Sequence, residues 1–168
     1  MGLALEKATD TTLVTGPMQL LWNDLQAEYK ALWSVDQMGF AWHESGFVVT
    51  ARDLLRIGEL MLNEGRVGDR QVVLIDWLAQ SLAQDETGSA TRFGSLEVSY
   101  NNGWRTADRV AGPNDIFSIG RHGQVMLISP INNIAIVRLG RNGNRESNIA
   151  LTSRLRRVAD RLSRIENR

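Results

Sequence analysis

The spacing of apolar residues changes near residue 90, and that change confines the chain to a mixed architecture. Before it the period is helical. Residues 19–32, QLLWNDLQAEYKAL, carry Leu20, Leu21, Leu25 and Leu32 at rough helical spacing. Thr50-Ala-Arg-Asp53 is close to a capping box, with Asp53 where Glu or Gln is usual. The helix it opens sets Leu54, Ile57, Leu60 and Met61 along one face, and Gly65 is placed to end it in a left-handed conformation. Gly58, inside that helix, costs about 1 kcal/mol relative to Ala unless close packing demands it. A shorter helix is predicted over Leu74–Leu82, including Trp77.

After residue 90 the period moves toward two. SLEVSYNNGWR, a segment around IFSI, QVMLISP and NIAIVRLG read as short strands. Pro130-Ile131-Asn132-Asn133 is a turn, so Val125–Ser129 and Ile134–Leu139 should pair as an antiparallel hairpin. The chain closes with a helix whose stripe is Leu151, Leu155, Val158, Leu162 and Ile165, flanked by Arg154, Arg157, Arg161 and Arg164. The expectation is an α+β fold: a helical segment, a short antiparallel sheet of about three strands, and a C-terminal helix packed on the sheet. It is read as a single domain, 1–168, with a mainly helical part to residue 90 and strands plus helix from 91.

Bulk properties narrow the function. The 19 basic and 19 acidic residues balance, which predicts no general attraction to nucleic acid. No apolar run is long enough for a membrane span. The start, MGLALEKATD, lacks a basic segment leading into a long apolar one, so no secretory signal is expected in it. Zero cysteines exclude thiol chemistry and thiolate metal sites. The two histidines, His43 and His122, have no carboxylates at ligand spacing, so neither a metal nor another cofactor is expected.

Trp33-Ser-Val-Asp36, Ser45-Gly46, Thr50-Ala-Arg-Asp-Leu54, Glu64-Gly-Arg-Val-Gly68 and Asp76-Trp77 stand in that order. They are followed by Asn102-Gly-Trp104, Gly120-Arg-His-Gly-Gln124 and Val137-Arg-Leu-Gly140. In order and spacing, over roughly residues 30–165, this set resembles the serine beta-lactamase-related hydrolases. That group takes in penicillin-binding proteins, class C beta-lactamases, related esterases and 6-aminohexanoate-oligomer hydrolases.

The resemblance implies a partial beta-lactamase/transpeptidase-like fold and hydrolysis of a small amide or ester through an acyl-serine. Such enzymes activate a serine with a lysine one helical turn later, Ser-x-x-Lys, because positions i and i+3 share a helix face. Here the only lysines are Lys7 and Lys30, and three residues before them stand Ala4 and Ala27. The nucleophile motif is missing, so no catalytic residue is assigned.

Ser99-Tyr100-Asn101-Asn102 contains the letters of a relay motif, but by order it matches the start of a Gly-Trp strand instead. The remaining implied site is the strand that faces the substrate pocket: Gly120, Arg121, His122, Gly123 and Gln124, with Trp104 on a groove wall. Either His122-Gly123-Gln124 or Arg121-His122-Gly123 fits the family's strand motif. His43 reads as a loop residue of the helical part that could border the pocket, and Trp42 shares the groove-lining reading with Trp104. The implied reading is the C-terminal segment of such a hydrolase, inactive alone. The other reading is a non-catalytic binding or assembly module, with homodimerisation through an exposed sheet edge. Relatives of this kind are often exported, and the compartment stays open.

Overall fold

A computed structural model describes residues 2–83, 91–93, 96–107, 113–141 and 145–166. The chain divides into two units, Met1–Arg56 and Ile57–Arg168.

In the first unit, α1 (Gly2–Thr9) and α2 (Pro17–Asp24) precede a two-stranded antiparallel pair, β1 (Leu32–Trp33) and β2 (Phe47–Val48). The helix read over 19–32 is therefore earlier and shorter. It opens at Pro17, whose missing N–H falls where a helix has none to pair. It ends because Gln26 adopts φ 54°, which turns the chain out toward β1. Leu25 is buried at that turn, and Trp22 stands edge-on to Phe47 with ring centroids 5.4 Å apart.

Next comes α3 (Ala51–Leu62). The Thr50 hydroxyl accepts the Asp53 backbone N–H at 3.0 Å, as a cap should, and donates to Asp53 Oδ2 at 2.8 Å. The Asp53 carboxylate does not complete the box on the cap's own N–H. It accepts the Glu28 N–H at 2.7 Å instead, and so ties the 28–29 turn to the head of the helix. Asp53 is wholly buried. Burial by itself would raise its pKa; the backbone N–H of Glu28, the Thr50 hydroxyl, the N–H of Tyr29 and the Arg56 charge outweigh that and hold it below the usual carboxylate value.

In the second unit α3 ends as its sequence predicts. Gly65 takes φ 81° and its N–H bonds the Leu60 carbonyl at 2.8 Å. A Cβ at Gly65 would lie 2.2 Å from the Val73 carbonyl oxygen, so the glycine is needed for space as well as for its dihedral. The hairpin β3 (Arg66–Val67) and β4 (Arg70–Gln71) leads to α4 (Ile75–Leu82). The strands follow: β5 (Thr91–Phe93), β6 (Leu96–Asn101), β7 (Trp104–Ala107), β8 (Asp115–Gly120), β9 (Gln124–Ser129) and β10 (Ile134–Arg138), then α5 (Arg145–Glu166).

These strands form one six-stranded antiparallel sheet in the order β10-β9-β8-β7-β6-β5, larger than the expected three or so. SLEVSYNNGWR, a single segment in the sequence reading, is folded back on itself at Asn102-Gly103, with φ 46° and 89°. Two consecutive left-handed residues make the tight turn whose twist matches a hairpin, and Asn-Gly is its preferred dipeptide. The predicted β9–β10 hairpin is present, closed by a turn in which Asn133 is left-handed.

Val98, Ala107, Phe117 and Leu127 make the buried heart of the sheet, with Ile119, Ile136 and Leu155 against it. α5 packs on β9 and β10. Its buried face is rotated from the predicted stripe. Thr152 and Ala159 are buried, whereas Val158, Leu162 and Ile165 are exposed. The reason is Arg156, which reaches from the helix to Asp115 on β8 with Nε–Oδ2 2.6 Å. Small residues one turn to either side let the helix lie close enough for that pair. Ser129 donates to the other oxygen of Asp115 at 2.7 Å, and Asn132 bonds both Ser129 Oγ and Asp160. Arg154, Arg157, Arg161 and Arg164 are exposed, as predicted.

Arg156→Met strands a buried carboxylate, so a loss of about 3–5 kcal/mol in urea unfolding is expected. Asp53, its folded pKa depressed, contributes stability that is present above the unfolded carboxylate pKa and lost as pH falls through the folded one. The Tm gap between wild type and Asp53→Asn should therefore narrow on acidification below about pH 4, measured by thermal melts followed by circular dichroism.

Candidate functional site

Strand direction gathers most of the predicted residues at one end of the six-stranded sheet. There β6 turns into β7 at Asn102-Gly103, β8 turns into β9 through Arg121–Gly123, and β10 runs out. Arg105 pairs with Phe117, so one step on Trp104 comes level with Ser118. Ser118 pairs with Met126 and Gly120 with Gln124. Residues in register share a face, so Trp104, Ser118, Gly120 and Gln124 lie on the same side of the sheet.

The loop itself is tightly built. His122 is exposed and left-handed, φ 61° and ψ 21°, and Gly123 follows at φ 83°. Gly120 has no room for a side chain, since a Cβ would meet the Gln124 Cβ at 2.9 Å. The Gln124 side chain is engaged at both ends. Its Nε2 donates to the Gly140 carbonyl at 2.6 Å and its Oε1 accepts the Gly140 N–H at 3.0 Å. The amide thereby continues the β9–β10 ladder past its last backbone pair. Arg138 donates from Nη1 to the Gly123 carbonyl at 2.5 Å. Gly140 lies so near that a Cβ there would sit 2.7 Å from the His122 carbonyl.

The outcome is a braced turn presenting Arg121 and His122 to solvent, beside a half-buried Trp104. Arg138 and Gly140 stand in the quoted Val137–Gly140 motif but were given no site role from the sequence, and neither was Ser118. Pairing of β10 with β9 is what brings the first two to the loop. The paired period-two segments that predicted this hairpin were the available signal for them.

Other candidates have settled places. Asn101 Nδ2 donates to the Gln80 carbonyl at 2.8 Å and Asn102 Nδ2 to Ser81 Oγ at 3.2 Å, so these asparagines anchor the turn to α4. Tyr100 is exposed and lies under the Arg105 guanidinium, 5.0 Å from its ring centroid. Thr106, two residues after Trp104 on β7, buries a hydroxyl with no hydrogen-bond partner among the described residues.

In the first unit His43 Nε2 meets Glu6 Oε1 at 3.2 Å and its ring leans on Phe40. The Leu13 backbone N–H is the main reason the Glu6 carboxyl is held below its usual pKa; partial burial opposes it, and His43 assists. Trp42 is exposed, and its carbonyl accepts the Trp33 indole N–H at 2.7 Å. Among the described residues no cluster of three His, Cys, Asp or Glu could hold a metal ion. No helix among them is long and apolar enough to cross a membrane.

Known proteins resemble this arrangement. The chain is 32% identical over 139 residues to the 6-aminohexanoate-dimer hydrolase of Paenarthrobacter ureafaciens, a match covering 80% of this chain and 35% of that protein. Over this stretch the chain is similar to the serine beta-lactamase-like hydrolases. A Bacillus anthracis structure named for 6-aminohexanoate-dimer hydrolase superposes with a TM-score of 0.82 at 22% identity, covering 97% of this chain and 42% of that one. A Bacteroides dorei structure named for beta-lactamase superposes at 0.60 with 18% identity, covering 85% of this chain and 49% of that one. The chain thus spans about a third of the curated relative and less than half of each structure. No protein-family model matches it.

Gln124→Ala removes both bonds to Gly140. Amide exchange at Gly140 should accelerate while global stability falls by only about 1–2 kcal/mol, measured by hydrogen–deuterium exchange alongside urea unfolding.

Proposed function

We propose that this chain forms the C-terminal, pocket-facing portion of a serine beta-lactamase-like hydrolase that cleaves a small amide or ester. In that chemistry a serine hydroxyl adds to the carbonyl carbon and gives its proton to the lysine amine one turn away. The leaving group departs protonated, and water then releases the acyl group. The chain's own contribution is the braced Gly120–Gln124 turn. Arg121 and His122 hold the substrate's carboxylate or carbonyl, Gly120 and Gly123 permit close backbone approach, and Trp104 forms a groove wall. Gln124 serves by fixing the turn.

One observation carries the inactivity of residues 1–168 taken alone. Neither Lys7 nor Lys30 has a hydroxyl three residues before it, since Ala4 and Ala27 stand there. A His without a paired hydroxyl and an orienting carboxylate does not make a nucleophile.

A second reading, a non-catalytic binding or assembly module, is favoured by β10 and β5, which edge the sheet among the described residues. Self-association through one of them would make the chain a homodimer.

The test is intact-mass spectrometry of the purified chain after incubation with a fluorophosphonate and, separately, a penicillin. No covalent adduct is expected with either. A stoichiometric adduct mapped to one serine would overturn the inactivity.

A further inference from the structure

The first unit contains a cleft that none of the proposed site residues line. It has a volume of about 350 Å³, within the range of small-molecule sites. Its apolar walls are Met18, Trp22, Leu32, Trp33 and Phe47, and Thr15, Gln19 and Asn23 add uncharged polar groups to the lining. Trp33 lies tilted on Phe47 with centroids 4.8 Å apart, and Trp22 meets the same ring edge-on. Both indole N–H groups are already used: Trp22 donates to the Tyr29 carbonyl and Trp33 to the Trp42 carbonyl, each at 2.7 Å. The aromatic walls therefore offer ring surface and no donor.

Lys30 supplies the only formal charge on the lining, which includes no carboxylate. Among the described residues it enters no ion pair. The nearest acidic residue in sequence, Glu28, lines a neighbouring cleft to which Lys30 also contributes. Its carboxylate is engaged by Arg56 at 3.2 Å and approached by Arg52 at 3.8 Å. Apolar rings, one unpaired cation and otherwise uncharged polar groups suit a particular chemistry: a small molecule with an apolar, preferably aromatic, body and a single terminal carboxylate. Ring-on-ring contact holds the body and Lys30 meets the acid.

We infer that this Trp22–Trp33–Phe47 cleft is a binding site for small aryl or alkyl monocarboxylates, independent of the acyl-transfer reading. The experiment titrates the full chain with phenylbutanoate, its neutral amide and the corresponding amine. It follows tryptophan emission and the Trp22 and Trp33 indole N–H resonances.

The carboxylate should saturate and bind about two- to five-fold more tightly than the amide, the range an exposed ion pair supports, with the amine weakest. Lys30→Met should abolish the preference for carboxylate over amide and leave amide binding intact. Phe47→Leu should weaken all three ligands alike. Equal affinity for acid and amide, a preference that survives Lys30→Met, or no saturation by about 10 mM would each overturn the inference. Because Lys30 is exposed, its replacement leaves the fold in place, so loss of the preference reports on the site.

Discussion

Asp115 is the constraint around which the second unit is arranged. A carboxylate with no exposed surface requires a cation and further donors, and here it receives Arg156 from α5 and Ser129 from β9. Those bonds fix how α5 can rotate on the sheet. They demand small residues, Thr152 and Ala159, where the helix comes closest, and they turn Val158, Leu162 and Ile165 outward. Asn132 extends the network to Asp160 and so joins the β9–β10 turn to the same helix. A polar cluster of this kind specifies one seating of the helix where an apolar stripe alone would accept several.

That cluster also explains what could and could not be read from the residues. The helix over α3, its Thr50 cap, its Gly65 end and the β9–β10 hairpin follow from local rules, and local rules are visible in one sequence. The rotation of α5 is not local. Leu151, Leu155, Val158, Leu162 and Ile165 make the better stripe by hydrophobicity, and only a partner 41 residues away makes Arg156 an inward residue. Asp53 shows the same limit on a smaller scale. Its position three after Thr50 marks it as a cap residue, but its use by Glu28 depends on a turn brought back to the helix. The missed turn at Asn102-Gly103 is a different case, because the dipeptide is a strong hairpin signal. Merging the two strands around it cost the expected sheet one strand, and β5 was not read as a strand at all.

The proposed site was legible in composition more than in geometry. Gly120, Arg121, His122, Gly123, Gln124 and Trp104 stand out as glycine, cation and aromatic residues at strand ends, and antiparallel pairing places them at one end of the sheet. What holds them was hidden, since Arg138 and Gly140 lie well down the chain, the one donating its guanidinium to the Gly123 carbonyl and the other offering its backbone N–H and carbonyl to the Gln124 amide. His122 spends its position on a left-handed turn, which fixes its backbone and leaves the imidazole facing outward. Glycine at 140 is part of the same construction, because any side chain would collide with the carbonyl of His122.

Every strand of the six lies beside its own predecessor, from β5 through to β10. Such a meander needs only short stretches of chain to close for each new edge, so the entropy lost at every step is small. The layer can zip up in order of synthesis, one ribbon at a time, and any half-built version always ends in a strand waiting for its immediate successor.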